Sequence, residues 1–281
     1  MSHALRLRAP AKINWTLEVL GKRPDGYHEI RSVMQTIDLC DEIALAPADA
    51  VSLTIDGDAG QLADEAPEAN LAFRAACLLR DRSGQRGGAH IQLTKRIPIA
   101  AGLGGGSSDA AAVLRGLRLL WRLDISDEQL AAIAAELGSD VPFFLRGGTA
   151  LISGRGDVVE PLPDAASRSL VISLPKRSAG PDKTARMYGA LRPEHYTDGS
   201  RTDRLAERIR DGEPVRDEDC YNVFEAVLPD VDPEGAAAFS RAGELGGGPH
   251  LCGSGPAFFT LATGGTHTLS AADASRFSEV G

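Results

Sequence analysis

From Pro98 to Leu114 the chain reads Pro-Ile-Ala-Ala-Gly-Leu-Gly-Gly-Gly-Ser-Ser-Asp-Ala-Ala-Ala-Val-Leu, and any fold it adopts has to accommodate that run. Just before it, His90-Ile91-Gln92-Leu93-Thr94 alternates as a half-buried strand does. Just after it, Ala110, Val113, Leu114, Leu117, Leu120 and Trp121 recur at helical spacing. The run is therefore a glycine-rich loop that joins a strand to the first turn of a helix.

Such a junction suits an anion. Glycines let backbone approach a ligand closely and take up positive φ, and the free amides of a helix start lie at the positive end of its dipole. Ser107 and Ser108 add hydroxyls able to cap the helix or to bind phosphate or metal. The simplest alternative is a glycine turn with an ordinary serine cap. The spacing also says which phosphate loops are absent. A Walker loop needs Lys after its last glycine, where Ser107 stands, and a dinucleotide fingerprint needs Gly or Ala where Ser107 follows Gly104 by three. Neither His-Arg-Asp nor Asp-Phe-Gly occurs, so the protein-kinase set is missing.

A chain of 281 residues has room for two modest cores, and 43% hydrophobic with 25% charged residues is an ordinary globular composition. Its net charge of −9 argues against nucleic acid or an anionic membrane as partner, so any nucleotide must be met by local amides and a few placed cations. Cys40, Cys77, Cys220 and Cys252 lie far apart with no C-x-x-C pair, which fits reduced thiols in a cytoplasmic protein. No signal-peptide core or membrane-span run is visible.

Along the chain, Leu5–Ala9 and Ile13–Leu20 read as strand interrupted at Pro10-Ala11-Lys12, and Gly21–His28 is turn chemistry centred on Pro-Asp-Gly. Strand-like pieces follow at Arg31–Ile37, Glu42–Ala46 and Val51–Ile55, then helical periodicity from Asn70 to Arg82. Ser126-Asp127-Glu128-Gln129 is a capping box for a helix that stops at Gly138. Glycine-rich hairpin sequence leads to Pro161–Ala166, which reads as a linker and places a boundary near 160, giving domains 1–160 and 161–281. The second half begins with a strand at Leu170–Leu174 and helical pieces at Thr184–Leu191 and Thr202–Asp211. Another helix is expected at Asn222–Leu228, a strand at Pro256–Leu261 and a last helix at Ala271–Glu279. Interleaved strands and helices in both halves indicate α+β or α/β domains.

Few residues look able to carry chemistry. Lys12 sits in the strand break; a solvated edge lysine is the ordinary reading, and a cation beside a reacting hydroxyl or phosphate is the functional one. Asp140, between a helix stop and Val141-Pro142, is either a cap or a carboxylate that takes a proton from an alcohol. Tyr27 and His28 are loop residues or a pair that holds a flat heterocycle by stacking and edge hydrogen bonds. His3, His90, His195, His250 and His267 show no metal-ligand spacing. Asp109 and the two serines are the candidates near the loop to meet Mg²⁺, which binds through one or two carboxylates and the substrate phosphates, so no dedicated metal cage and no named protein ligand is expected.

Taken together these segments resemble a family. Pro98-x-x-x-Gly102-Leu103-Gly104-Gly105-Gly106-Ser107-Ser108-Asp109-Ala-Ala is similar to the second motif of the GHMP kinases, the small-molecule kinases of galactose, homoserine, mevalonate and phosphomevalonate. Pro10–Asn14, Gly21–His28 and Gly138–Phe143 narrow the resemblance to the 4-diphosphocytidyl-2-C-methyl-D-erythritol kinases, and Leu251–Ala257 is similar to their C-terminal glycine motif. The resemblance implies an α+β, two-domain GHMP kinase fold. Its N-terminal domain would be ribosomal-S5-like and its C-terminal domain ferredoxin-like, with the active site in the cleft between. It implies phosphorylation of the 2-hydroxyl of a cytidine-diphosphate-linked methylerythritol, on the non-mevalonate route to isoprenoids, with ATP and Mg²⁺ as cofactors and a monomer or weak homodimer as the working species.

Site residues carry over position by position. Lys12 and Asp140 match the catalytic pair. Pro98, Gly102, Leu103, Gly104, Gly105, Gly106, Ser107 and Ser108 match the ATP loop, and Asn70 and Lys95 the adenine pocket. Asn14, Tyr27 and His28 match substrate-binding positions, His28 reading the cytosine edge, and Thr184–Tyr188 nominates Tyr188 as the aromatic that stacks on the base. One departure is Gly180-Pro181-Asp182-Lys183, which stands where relatives commonly carry Val-Ser. The alternatives are a GHMP kinase for mevalonate, phosphomevalonate or homoserine, and a nucleotide-binding regulator without turnover. A base-free substrate gives Tyr27-His28 no purpose, and retention of Lys12 and Asp140 argues against the regulator.

Overall fold

The computed structural model describes residues 4–58, 60, 65–175, 182–244, 248–262 and 279–280. The chain divides into two compact units interleaved in sequence. The first holds Met1–Ala11, Leu39–Ile99 and Gly104–Gly147; the second holds Lys12–Asp38, Ala100–Leu103 and Gly148–Gly281. The last change-over therefore falls at Gly147–Gly148, ahead of the linker at Pro161–Ala166. The hairpin β5 (Thr149–Ser153) and β6 (Val158–Pro161) belongs to the second unit because β5 pairs antiparallel with the early part of β2 (His28–Ala48), Ser32 opposite Ile152.

Two long strands thread both units. β1 runs unbroken from Leu5 to Lys22 and β2 from His28 to Ala48. The break expected at Pro10–Lys12 is a local departure from the ladder: the Lys12 amide donates to the Leu103 carbonyl at 2.9 Å. Alternation in β1 ends at Ala9 because Ala11 to Val19 are all buried, and a strand covered on both faces loses its period of two.

In the first unit the later half of β2 pairs antiparallel with β4 (Gly88–Lys95), and β3 (Ser52–Gly57) pairs parallel with β4. Helices α1 (Leu71–Ser83), α2 (Gly105–Leu120), α3 (Asp127–Leu137) and α4 (Val141–Arg146) pack with one another. Their buried faces supply Leu79, Val113, Leu114, Leu117, Phe143 and Phe144 to a core shared with Leu45, Ile91 and Leu93. The predicted capping box is formed at Ser126 and Gln129, and Asn70 caps α1 by accepting the Ala72 amide at 2.9 Å.

The second unit contains a four-stranded sheet in the order β11 (Glu279–Val280), β7 (Leu170–Pro175), β10 (Phe258–Leu261), β9 (His250–Leu251). The same unit holds α5 (Lys183–Ala190), α6 (Ser200–Arg210), α7 (Leu228–Val231) and α8 (Pro233–Glu244); α8 packs on β7, and α7 on α5 and α8. Asn222–Leu228 is not the single helix its periodicity suggests. Tyr221–Asn222 forms β8, parallel to β1, and Val223–Ala226 is a 3₁₀ turn, because the Asn222 side chain accepts the Phe224 amide and so offers the backbone a local alternative to the helix. The helix expected at Ala271–Glu279 lies outside the described residues except for Glu279, which is in β11. No helix among the described residues is long and apolar enough to cross a membrane.

Candidate active site

The glycine loop delivers α2 with an open first turn. Gly104 caps it in the left-handed region at φ 73°, with no side-chain hydrogen bond, and the helix's first backbone bond runs from the Ser108 amide to the Gly104 carbonyl at 2.9 Å. The amides of Gly105, Gly106 and Ser107 precede that bond and are the donors a helix start presents to an anion. Gly106 is exposed and Ser107 partly so, whereas Ser108 is buried with its hydroxyl unpartnered. Gly102, at φ 81°, passes so close to the Cys252 carbonyl that a Cβ would overlap it.

Beneath the helix start lies a buried charge cluster. The Lys95 ammonium is held by Asp41 and, at 2.7 Å, by Asp109, all three within the core. Asp41 also accepts the amides of Arg96 at 2.6 Å and Ile97 at 2.8 Å. Burial pulls the Lys95 ammonium down, but the Asp109 and Asp41 carboxylates outweigh it and hold it above its usual range. Burial pushes the Asp109 carboxyl up to about 7 against the pull of Lys95. Gly105 fits over this cluster with 3.3 Å between a Cβ there and Lys95 Nζ. Lys95 and Asp109 thus turn inward, and Asn70 is engaged as the cap of α1. Among the described residues no group of three or more His, Cys, Asp or Glu could hold a metal ion.

The second unit carries Lys12, Asn14, Tyr27, His28 and Tyr188. Lys12 is 4% exposed and its ammonium donates to Asn14 Oδ1 at 2.7 Å. The same oxygen accepts the Gly253 amide at 3.0 Å, and Asn14 Nδ2 donates to Ser32 Oγ at 2.8 Å. Lys12 is therefore no solvated edge residue but a buried cation aimed by an amide. Its strand places it there because β1 leaves its ladder at this point to meet the Ala100–Leu103 stretch.

His28 and Tyr188, singled out on separate grounds, come together: their rings stack with centroids 5.0 Å apart and 28° between planes. Tyr196 meets His28 edge-on at 6.3 Å and Phe224 meets Tyr188 edge-on at 4.8 Å. Burial, helped by Lys22, holds the His28 imidazole below its usual range, so the ring is neutral at pH 7 and presents one donor and one acceptor. Tyr27 instead faces outward, 52% exposed, with the Arg155 guanidinium 5.2 Å above its ring. The Pro-Asp-Gly turn sets this divergence: Gly26 takes φ 89° and Asp25 accepts the Tyr27 amide at 3.1 Å.

Asp140, in the first unit, occupies the N-cap position of α4 yet makes no side-chain capping bond. The structural reading of this carboxylate is thereby weakened. Reading the sequence alone missed Asp41, Lys183, Thr184 as a contact residue, and Asn222. Asp41 looks like any polar residue on a strand, and only the departure at Lys183 carried a signal.

The description of the GHMP kinases N terminal domain matches residues 70–148. The 4-diphosphocytidyl-2-C-methyl-D-erythritol kinase of Dehalococcoides mccartyi is 42% identical over 258 residues, covering 92% of this chain and 89% of that protein. The kinase of the same name from Pelotomaculum thermopropionicum is 43% identical over 90% of this chain and 87% of its own length. A crystal structure of 4-(cytidine 5'-diphospho)-2C-methyl-D-erythritol kinase superposes with a TM-score of 0.74 at 38% identity, covering 92% and 91% of the two chains. Homoserine kinase from Cytophaga hutchinsonii, 21% identical with a TM-score of 0.69 over 98% and 88% of the chains, shares the fold. On identity and coverage of this extent, the chain belongs to the 4-diphosphocytidyl-2-C-methyl-D-erythritol kinase family, within the GHMP kinases.

Proposed function

We propose that this protein transfers the γ-phosphoryl group of ATP to the 2-hydroxyl of 4-diphosphocytidyl-2-C-methyl-D-erythritol, giving the 2-phosphate and ADP on the methylerythritol route to isoprenoid precursors. The observation that carries this reading is the likeness to kinases of that name over 92% of the chain. It is supported by the division of the residues between an anion-binding helix start and an aromatic pair suited to a base.

The triphosphate lies along Pro98 and Gly102–Ser108, its oxygens facing the amides that open α2. The hydroxyl oxygen attacks the γ-phosphorus as the bond to the β,γ-bridging oxygen breaks, and ADP leaves. Lys12, aimed by Asn14, offsets the negative charge near the nucleophile and the γ-phosphate. Asp140 accepts or orients the hydroxyl proton, a role open to it because no helix amide claims its oxygens. A loose phosphoryl-transfer transition state asks chiefly for this positioning and charge. Mg²⁺, when bound with the nucleotide, would supply charge neutralisation at the phosphates. The unpartnered Ser108 hydroxyl and the half-exposed Ser107 fit a metal held mainly by phosphates and water.

On the substrate side His28 reads the edge of cytosine, Tyr27 and Tyr188 offer ring faces, and Asn14 lies behind Lys12. The protein works in the cytoplasm as a monomer or weak homodimer, without nucleic acid. The deciding experiment measures ADP release from Mg-ATP. Release should require the diphosphocytidyl alcohol, and equal turnover of mevalonate or homoserine would sink the assignment.

A further inference from the structure

One buried cation has no part in the reaction as described. Lys183, the first residue of α5, is 4% exposed, and its ammonium donates to the Ser254 carbonyl at 2.8 Å. The Asp232 carboxylate lies 3.9 Å away. An ammonium removed from water onto a carbonyl, with its counter-ion beyond hydrogen-bond range, is a costly arrangement. Burial accordingly draws its pKa down to about 8, with Asp232 opposing the fall.

What Lys183 grips explains the cost. Thr184 Oγ1, its neighbour, is 2.8 Å from Ser254 Oγ, so two consecutive residues hold both the backbone and the side chain of Ser254. Ser254 is the centre of a turn whose flanking glycines both have positive φ, 57° at Gly253 and 74° at Gly255. A Cβ on Gly255 would lie 2.5 Å from Lys183 Nζ, and one on Gly253 would lie 3.1 Å from Lys12 Nζ. Two buried lysines therefore close on the two ends of one three-residue turn. Asn222 steadies its approach by donating to the carbonyls of Leu251 at 2.9 Å and Gly253 at 2.8 Å. From the turn, the Gly253 amide reaches the Asn14 oxygen that holds Lys12.

We propose that Lys183 is a positioning residue for phosphoryl transfer: it fixes the Gly253–Ser254–Gly255 turn, and the turn fixes Lys12 through Asn14. The inference rests on the kinase reading above. A purely structural Lys183 would anchor α5, for which the fully buried Met187 already serves. A positioning Lys183 must instead act on Lys12, and that difference is measurable.

The test is Lys183→Met in the full chain, which keeps the aliphatic stem and removes the charge. Turnover should fall about 10- to 100-fold, with KM for ATP and for the alcohol within about 3-fold of the original. A double-mutant cycle with Asn14→Ala then reads the path. If Lys183 acts through Asn14, the double variant is no slower than the slower single one. Two effects that multiply independently would overturn the proposal, and so would a loss of Tm with unchanged turnover per folded molecule. Thr184→Val removes the neighbouring grip on Ser254 and should give the same kcat-against-KM split in smaller measure; it decides the matter where Lys183→Met does not fold. A wild-type chain that turns over a different alcohol fails only the substrate assignment, and the cycle measured on that alcohol still decides Lys183. A wild-type chain inert toward every alcohol overturns both.

Discussion

Asn14 Oδ1 lies 2.7 Å from the Lys12 ammonium and takes the Gly253 amide at 3.0 Å, so one side-chain oxygen joins a buried cation to a glycine turn 239 residues away in sequence. Removing that acceptor takes a partner from a buried ammonium and from a buried amide, at a cost of about 1–3 kcal/mol for the amide and more for the charged group. Asn14→Ala should therefore lower kcat by about 10- to 100-fold, together with a drop in Tm. Steady-state ADP release and a thermal melt on the same preparation check both.

Asp140→Asn separates catalysis from capping. Because Asp140 makes no capping bond, the amide should leave Tm within about 2 °C, while loss of proton acceptance lowers turnover about 10²- to 10⁴-fold. A fall in Tm that tracks the loss of turnover would return the residue to a structural role.

Gly102→Ala tests the loop's close approach. The methyl group would overlap the Cys252 carbonyl in a backbone region that L-residues avoid, so the chain must shift there. The variant should melt several degrees lower and show a raised KM for ATP, with a smaller change in KM for the alcohol.

The buried Lys95 cluster predicts coupled losses. Asp41→Asn removes one carboxylate from a buried ammonium, an effect of about 3–5 kcal/mol for a broken buried pair. Asp41→Asn combined with Lys95→Met should be less destabilising than the sum of the single changes, measured by denaturant unfolding.

Glu225 gives a pH signature. Burial raises its carboxyl to about 7, opposed by the Leu251 amide it accepts. Between the ordinary carboxylate range and pH 7 the folded chain therefore binds more protons than the unfolded one, and this group's contribution to stability is lost as pH rises through 7. Glu225→Gln, which does not titrate, should melt above the original at pH 8, and the gap should close toward pH 5.

The glycine loop, the Ser126 capping box, the Asn70 helix start and the motif positions were legible because each is a local pattern with a local physical cause. Long-range pairing was not. The hairpin at 149–161 reads as an ordinary turn-rich stretch before a linker, and only its register against Ser32–Gln35 ties it to the early part of β2. Asp41 and Asn222 carry no periodic signal, since what distinguishes them is the backbone they bond across the fold. Asn222 even misleads, as the apolar run after it suggests a helix that its own side chain interrupts. Tyr27 and His28 read as a pair by adjacency, yet a strand start sends neighbours to opposite sides, and His28 finds Tyr188 instead.

The turn at Gly253 and Gly255 also constrains how this protein can diverge. Each glycine is constrained twice over, by a torsion that side chains resist and by an ammonium close to where a Cβ would sit, 2.5 Å away at Gly255 and 3.1 Å at Gly253, where the Gly102 carbonyl is as near. Single-base drift at either codon meets both obstacles at once, so neither position can change first. The lysines can. Replacing Lys183 with a shorter residue opens space at Gly255 but leaves the torsional obstacle standing. The order in which substitutions become tolerable is thus written into the turn: cation first, glycine afterwards, and glycine only if the backbone relaxes as well.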